Sequence, residues 1–347
     1  MDDVVPSAPL PAAALPAAAP LSAALPSLGE VDAGLRVVAL PLRTRFRGVD
    51  HREIALVRGP EGWTEFSPFL EYGPAESAAW LRAALDYGWS EQPAPLRDRI
   101  PVNATVPAVE PAEVAAILES YHGCRTAKVK VAERGQTLAD DVARVAEVRR
   151  ILGPEGRIRI DANGGWNVDE AEHAVHALAG SDLEYVEQPC ASVDELADLR
   201  RRVKWMGIPV AADESVRKAA DPLAVARAGA ADLLVVKAQP LGGVRRALDL
   251  VAEAGLPAVV SSALDSSVGL AMGAALAAAL PELPYDCGLG TASLLAADVT
   301  ERPLRPVDGA VPVERVEVSE ALLLRHAVAP ERLEWWRARL RETWALL

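Results

Sequence analysis

The sequence predicts a (β/α) barrel of the TIM type with an α+β capping domain, and three observations support this fold class. The chain has 347 residues, half of them hydrophobic, which is enough for one large domain or two ordinary ones. From about residue 100, short β-rich runs alternate with helical stretches. No glycine-rich phosphate-binding motif follows the first of these runs, which argues against a doubly wound open sheet.

The composition narrows the class of function. The 36 basic and 49 acidic residues give a net charge of −13, whereas a general nucleic-acid or anionic-membrane binder needs a basic face. A small anionic substrate is still possible, because a pocket can be locally positive inside an acidic protein. The three cysteines are far apart and form no CxxC pair, so we expect free thiols and a cytoplasmic protein.

The N-terminal third is predicted to contain a tail and a capping domain. Residues 1–30 are rich in Ala and Pro and begin with an acidic stretch, so we expect a flexible tail and not a signal peptide. The capping domain is expected over residues 31–100. Its elements are three strands and one amphipathic helix, predicted at residues 35–40, 53–57, 62–66 and 77–87.

The barrel is expected over residues 101–310, as eight strands that alternate with helices. The strands are predicted at residues 102–106, 127–131, 157–161, 183–187, 210–213, 233–237, 258–261 and 285–287. The helices between them are predicted at residues 137–152, 168–179, 193–203, 222–228 and 243–254. The alanine-rich run 269–280 is too short to span a membrane and is predicted to be a buried helix. Residues 311–347 are expected to return to the capping domain.

Three carboxylates stand at equivalent positions on three neighbouring strands. Asp161, Glu187 and Asp213 end the third, fourth and fifth strands, each 26 residues after the one before. Because barrel active sites lie at the carboxyl ends of the strands, these side chains are expected to converge. Like charges repel strongly unless a cation sits among them. Mg²⁺, a hard ion that prefers oxygen ligands, is therefore the predicted cofactor.

Lysines stand on both sides of these carboxylates. Lys128 and Lys130 are two residues apart on the second strand and so share a face, and Lys237 ends the sixth strand in an apolar run. A metal can stabilise the charge that develops when a proton is removed next to a carboxylate, and a lysine can act as the base. The pattern therefore predicts proton abstraction from a small-molecule carboxylate.

These motifs resemble those of a known enzyme family. Lys128-Val-Lys130, Asp161-Ala-Asn163, Glu187-Gln-Pro, Asp213-Glu-Ser and Val236-Lys237 are similar to the muconate-lactonising-enzyme branch of the enolase superfamily, and more narrowly to the actinobacterial type of o-succinylbenzoate synthase. The resemblance covers nearly the whole chain. It implies that Asp161, Glu187 and Asp213 bind Mg²⁺, that Lys130 is the catalytic base and that Lys237 is the opposing catalytic lysine.

The resemblance also implies a reaction. It is a lyase reaction of menaquinone biosynthesis, the syn-dehydration of 2-succinyl-6-hydroxy-2,4-cyclohexadiene-1-carboxylate through an enediolate. Two alternatives stay open: an N-acylamino-acid racemase or dipeptide epimerase that uses the same two lysines, and a barrel that only binds a ligand. The partner is expected to be the substrate, without nucleic acid or membrane, and the oligomeric state is left open.

Further residues are expected to contact the substrate or to shape the site. The predicted substrate-binding residues are Lys128, Asn163, Ser262 and Gly288. The loop at residues 261–269 precedes a helix, whose free N–H groups are expected to cradle a substrate carboxylate. Arg159, two residues before Asp161, is expected to order the site carboxylates. Residues 62–70 are expected to close over the barrel mouth.

Overall fold

The computed structural model describes residues 26–46, 48–217 and 221–347. Residues 1–25 of the predicted tail lie outside the described residues. Helix α1 spans Leu28–Gly34 and begins at a capping box, in which the Ser27 side chain accepts from the backbone N–H of Glu30. Residues 28–30, which the sequence analysis assigned to the tail, therefore lie in a helix.

The capping domain is a three-stranded antiparallel meander covered by helices. Strands β1 (Arg36–Phe46), β2 (Val49–Gly59) and β3 (Gly62–Phe66) pair in chain order, and helix α2 spans Pro74–Trp89. The C-terminal helices α11 and α12 span Glu320–Arg325 and Pro330–Trp344. Trp336 of α12 is fully buried, packs edge-to-face on Phe66 and donates its ring N–H to Glu53 at 2.7 Å. The C-terminal segment thus completes the core of the capping domain.

The turn between β2 and β3 approaches helix α2 closely at Gly59. A Cβ at this position would lie 2.1 Å from the backbone oxygen of Gly88, and neither backbone segment can give way cheaply. We expect Gly59→Ala to lower the free energy of unfolding by about 1–3 kcal/mol, because overpacking forces the backbone to shift. Thermal and denaturant unfolding would measure it. The control is Gly180→Ala, where a Cβ meets nothing within 4 Å; an equally stable Gly59→Ala protein would contradict the expectation.

The barrel contains seven parallel strands in one sheet. Their order is β11-β10-β9-β8-β7-β6-β5, so each strand neighbours the next along the chain. The strands are β5 (Ala104–Val106), β6 (Thr126–Lys130), β7 (Arg157–Asp161), β8 (Leu183–Glu187), β9 (Val210–Ala212), β10 (Leu233–Val236) and β11 (Ala258–Val260). The expected (β/α) barrel with an α+β capping domain is confirmed.

The eighth strand, predicted at residues 285–287, does not form as a strand. Instead Cys287 and Gly288 make single parallel bridges, to Val102 on the β5 side and to Ser261 on the β11 side. Pro284 just before this segment lacks the N–H that would extend the ladder. The two bridges nevertheless close the sheet into a barrel.

Helices follow the barrel strands as expected. They are α3 (Val114–Glu119), α4 (Leu138–Leu152), α5 (Val168–Leu178), α6 (Val193–Val203), α7 (Glu214–Arg217), α8 (Ala224–Arg227), α9 (Val244–Ala254) and α10 (Ser267–Ala279). The helix predicted at 222–228 is shorter than expected, and α3 was not predicted. A small antiparallel sheet of β4 (Arg99–Pro101) and β12 (Ala310–Pro312) was also not predicted. None of the helices in the described ranges has the length and apolar character to cross a membrane.

Candidate active site

One cavity at the carboxyl end of the barrel brings together most of the predicted site residues. Eight of the nine line it: Lys128, Lys130, Asp161, Asn163, Asp213, Lys237, Ser262 and Gly288. The ninth, Glu187, is fully buried and bonds to Lys128, whose Nζ lies 2.8 Å from its Oε1. The capping domain contributes Phe46, whose ring lies 5.6 Å from the Lys130 ammonium. The cavity therefore lies between the barrel and the capping domain.

The register of the sheet explains why these residues meet. Lys130 is the direct Cα partner of Asp161, and Asp161 is the partner of Glu187. Asp213 follows the next strand and is held by Gln188, whose side-chain oxygen accepts from the Asp213 backbone N–H at 2.9 Å. Side chains in register on neighbouring parallel strands stand at one height. Asp161 and Glu187 thus stand at one height, whereas Asp213 lies two residues beyond Ala211, the Cα partner of Glu187.

The two catalytic candidates stand on opposite walls of the cavity. Lys130 ends β6, the second strand position of the barrel, and Lys237 follows β10, the sixth. In an eight-position barrel, strands four places apart face each other across the axis. A substrate held between them would meet one amine on each face.

Each of the three site carboxylates forms an ion pair with a lysine. Lys130 Nζ lies 2.5 Å from Asp161, and Lys237 Nζ lies 2.6 Å from Asp213. Lys128 Nζ contacts both Glu187 and Asp161, the latter at 3.2 Å. Buried charges are costly unless paired in this way. The site is thus an alternating network of acids and amines.

The electrostatics of the network differ from residue to residue. Burial alone would raise the pKa of Asp161, but Lys130 and Lys128 hold that pKa well below its usual range. Burial raises the pKa of Glu187 to about 7, and repulsion from Asp161 adds to the rise. Burial also lowers the pKa of the Lys237 ammonium, although Asp213 opposes this shift. Negative charge is therefore least well neutralised at Glu187.

The donor set suits a hard divalent cation. Asp161, Glu187 and Asp213 are almost completely buried and offer only carboxylate oxygens, which Mg²⁺ prefers. The raised pKa of Glu187 marks a position where more positive charge would be favourable. In the described ranges, no three His, Cys, Asp or Glu side chains are already grouped to hold an ion, and the site carboxylates are paired with basic side chains. A cation would therefore compete with the lysines for these oxygens.

Arg217 is a site residue that the sequence analysis missed. Its guanidinium donates to Asp213 at 3.1 Å, to Glu214 at 2.6 Å and to the hydroxyl of Tyr72 in the capping domain at 2.9 Å. Asn163, predicted to bind substrate, donates to Glu214 at 3.2 Å and accepts from Lys130 at 2.6 Å. This chain of contacts joins the capping domain to the Lys130 ammonium. An arginine four residues after a strand-end aspartate was its only sequence signal.

The expectation for Arg159 was wrong. Its guanidinium lies deep in the barrel, where it donates to Glu184 at 2.5 Å, to the Tyr185 hydroxyl at 3.0 Å and to the Asp286 backbone oxygen at 2.8 Å. A position two residues earlier on the strand shares the inward face but lies one layer further from the carboxyl end. Arg159 therefore forms an ion pair with Glu184 below the site and does not contact Asp161, Glu187 or Asp213.

The loop before α10 does not offer a free anion cradle as predicted. The backbone N–H groups of Ser266 and Gly269 both donate to Glu65 of the capping domain, at 3.1 Å each. Burial, together with Asp265, raises the pKa of Glu65 to about 7. Ser262 still lines the cavity, and its hydroxyl donates to the Gly288 backbone oxygen at 2.9 Å. The helix N-terminus is thus already occupied by a carboxylate of the protein itself.

The segment expected to close over the barrel mouth is packed against the barrel. Trp63, Phe66 and Phe69 are buried, as is Ser67, whose backbone oxygen accepts from Arg52. Arg52 also donates to the backbone oxygen of Leu264 in the loop that lines the cavity. The backbone of this segment is therefore held against the barrel, and its aromatic rings are part of the buried core.

Comparisons with known proteins agree with this architecture. Residues 110–317 match the family model described as "Enolase C-terminal domain-like", and residues 37–88 match "Enolase N-terminal domain-like". The o-succinylbenzoate synthase of Thermobifida fusca is 61% identical over 308 residues, which cover 88% of this chain and 94% of the relative. That of Mycolicibacterium smegmatis is 54% identical over 324 residues, which cover 93% and 99%.

Solved structures share the fold at lower sequence identity. Muconate lactonizing enzyme from Pseudomonas fluorescens, complexed with muconolactone, matches with a TM-score of 0.72 and 21% identity, covering 85% of this chain and 98% of that one. The 2-chloromuconate cycloisomerase of Rhodococcus opacus 1CP matches with a TM-score of 0.70 and 24% identity, covering 85% and 98%. These matches establish the arrangement of barrel and capping domain.

Proposed function

Because the chain belongs to the enolase superfamily and, within it, to the o-succinylbenzoate synthase family, we propose that Lys130 and Lys237 carry out the dehydration of 2-succinyl-6-hydroxy-2,4-cyclohexadiene-1-carboxylate. One observation carries the residue roles. Lys130 and Lys237 line one cavity together with Asp161, Asp213 and Lys128, and Lys128 forms an ion pair with the buried Glu187. The reaction is a lyase reaction that yields o-succinylbenzoate and water.

Lys130 performs the proton transfers. As a free amine it takes the proton next to the ring carboxylate, and the electrons of the C–H bond move into an enediolate. The resulting ammonium then gives its proton to the hydroxyl group that leaves from the same face, so the C–O bond breaks and water departs. One residue on one face thus accounts for a syn elimination. The ring becomes aromatic, which makes the second step downhill.

Lys237 supports the intermediate from the opposite face. Its ammonium is buried and fixed by Asp213 at 2.6 Å, so it needs little reorganisation when negative charge develops on the substrate. Asp161, Glu187 and Asp213 would hold Mg²⁺. When bound, the ion supplies a Lewis acid that stabilises the charge developing on the substrate carboxylate.

The remaining predicted residues shape the substrate pocket. Lys128 supplies positive charge at the cavity floor, where Glu187 and Asp161 keep its pKa raised despite burial, which alone would lower it. Ser262 and Gly288 also line the cavity, and a Cβ at Gly288 would lie 2.4 Å from the Ser261 hydroxyl. Only glycine leaves this wall in place. We assign the enzyme to the cytoplasm, whose reducing conditions suit its three free cysteines.

A direct assay tests the function. The purified protein with Mg²⁺ is expected to consume the cyclohexadiene substrate and release o-succinylbenzoate. The loss of diene absorbance measures the rate, and chromatography identifies the product. A parallel incubation with N-succinylamino acids in D₂O tests the racemase alternative. Rapid α-deuterium exchange without any dehydration would contradict the proposal and assign the two lysines to 1,1-proton transfer.

A further inference from the structure

Glu65 of the capping domain is a fully buried carboxylate surrounded by hydrogen-bond donors. Its Oε2 accepts from the Ser266 hydroxyl at 2.5 Å and from the backbone N–H groups of Ser266 and Gly269. Its Oε1 accepts from the Ser67 hydroxyl at 2.5 Å and from Gln239 Nε2 at 3.2 Å. Apart from Ser67, all of these donors belong to the barrel. Glu65 is therefore a point at which the capping domain is fastened to the barrel.

Gln239 connects this point to the proposed active site. It lies two residues after Lys237, in a tight turn where the Leu241 N–H donates to the Lys237 oxygen and the Gly242 N–H to the Gln239 oxygen. The Gln239 side chain also donates to Asp265 at 3.0 Å. The turn that begins at Lys237 is thus anchored by a side chain that Glu65 holds.

The residues around the contact between Glu65 and Gln239 are closely packed. A Cβ at Gly269 would lie 2.7 Å from Asp265 Cβ, 2.8 Å from Gln239 Nε2 and 2.9 Å from Glu65 Cδ. The three side chains therefore pack closely around the Gly269 backbone, which leaves little free volume for one of them to shift. A change at Glu65 is expected to reach Gln239 through their hydrogen bond.

We propose that Glu65 is a positioning residue that fixes Lys237 through Gln239. The proposal rests on the proposed function, since it concerns the lysine that faces Lys130 across the cavity. Catalytic groups must be held within a fraction of an ångström of the productive geometry, and a displacement of about 1 Å can lower the rate about 10²-fold. The capping domain thus contributes to catalysis in two ways: it covers the site, and it fixes the position of Lys237 in the barrel.

Glu65→Gln is the informative variant because it keeps the shape and changes the hydrogen bonding. The new amide nitrogen would face Gln239 Nε2, and two donors cannot bond. Gln239 must then turn its amide, which places its oxygen against Asp265. We expect kcat to fall about 10–100-fold while KM changes less than about threefold, because the cavity wall itself is kept.

Asp86→Asn is the matched control. Asp86 is also a capping-domain carboxylate that bonds to the barrel, with Arg245 Nη1 at 2.9 Å; it packs against Gly243 at the end of the Lys237 turn, but its described hydrogen bonds do not include Gln239. We expect Asp86→Asn to lower the thermal unfolding temperature and to leave kcat within about twofold of the wild type. A role in domain docking alone would make the two variants behave alike.

A double variant tests the route through Gln239. Because Glu65 acts through Gln239, the kcat of Glu65→Gln/Gln239→Leu is expected to match the lower single variant, whereas Glu65→Gln/Asp86→Asn is expected to be additive. Wild-type kcat in Glu65→Gln, or additive effects with Gln239→Leu, would overturn the proposal.

Two further experiments distinguish failure of the Glu65 proposal from misfolding of the variant and from failure of the proposed function. If Glu65→Gln does not fold, Ser67→Ala removes the hydroxyl that donates to Glu65 Oε1 and also lies 3.3 Å from Gln239 Nε2, and we expect a kcat loss of about 3–10-fold; an unchanged kcat would overturn the proposal. An inactive wild-type protein would contradict the proposed function instead. An active wild type with fully active Glu65 variants would contradict only the role of Glu65.

Discussion

Lys130→Ala is expected to lower kcat for dehydration by about 10³-fold or more, because the variant loses both the base and the acid of the reaction. Lys130 Nζ contacts Asp161 and Asn163, so the variant removes one member of the ion-pair network and leaves the other lysines paired. The measurements are steady-state dehydration rates and, in D₂O, exchange of the α proton of the remaining substrate. Both are expected to fall together.

Lys204→Ala is the matched control for this experiment. Lys204 is exposed on the barrel surface, so its replacement removes the same group without touching the cavity. We expect wild-type kcat in this variant. Full turnover in Lys130→Ala would remove Lys130 from the mechanism, whatever the behaviour of the control.

Removing divalent cations is expected to lower kcat by about 10³-fold, since Lewis-acid stabilisation supplies several kcal/mol to such reactions. Dialysis against a chelator, followed by addition of Mg²⁺, would measure the loss and its recovery. Calorimetric titration of the stripped protein with Mg²⁺ gives an independent readout of binding. Undiminished turnover after stripping would contradict the assignment of Asp161, Glu187 and Asp213 as ligands.

Two glutamates on the same strand separate metal binding from folding. Glu187→Gln removes a proposed ligand, and we expect the Mg²⁺ concentration for half-maximal activity to rise at least about 10-fold. Glu184→Gln, three residues earlier, removes the partner of Arg159 and is expected to lower stability without changing the Mg²⁺ requirement. Equal Mg²⁺ dependence in Glu187→Gln and the wild type would exclude this ligand role.

The strand ends could be predicted because one repeated unit sets their spacing. Asp161, Glu187 and Asp213 stand at the ends of neighbouring strands at equal intervals in the sequence; the register puts Asp161 and Glu187 at one height and Asp213 two residues further along. The eighth strand was predicted at residues 285–287 because its residues read as an extended run, but it does not form, and only Cys287 and Gly288 make single bridges to the neighbouring strands. Local pattern gives the conformation of a segment but not the number of hydrogen bonds it makes.

Contacts between distant parts of the chain were beyond the sequence. The loop before α10 reads as an open anion site, yet Glu65, 204 residues before Gly269, fills it. Arg159 was misplaced for a related reason: alternation along a strand gives the face but not the depth in the barrel. Both errors arise where tertiary packing decides which of several polar partners a group meets.

The use of lysine carried more information than the total charge. The chain has five lysines among its 36 basic residues, and three of them line the cavity. Arginine holds its proton at all ordinary pH values, whereas lysine can release it when its surroundings favour the amine. Of the three cavity lysines, Lys130 is the one we assign to proton transfer, whereas Arg159 and Arg217 form ion pairs with Glu184 and Asp213.

The closure of the barrel at Cys287 and Gly288 distributes rigidity unevenly around the substrate. Between β5 and β11 the barrel wall is joined by isolated backbone hydrogen bonds, from Asn103 N–H to the Cys287 oxygen, from Cys287 N–H to the Pro101 oxygen and from Gly288 N–H to the Val260 oxygen. Regions with few such bonds open at lower free energy than continuous ladders. Local opening of the barrel is thus expected mainly on the side that carries Ser262 and Gly288. The acids and amines that do the chemistry follow strands that are paired on both sides, so the pocket can adapt to its ligand with little effect on them.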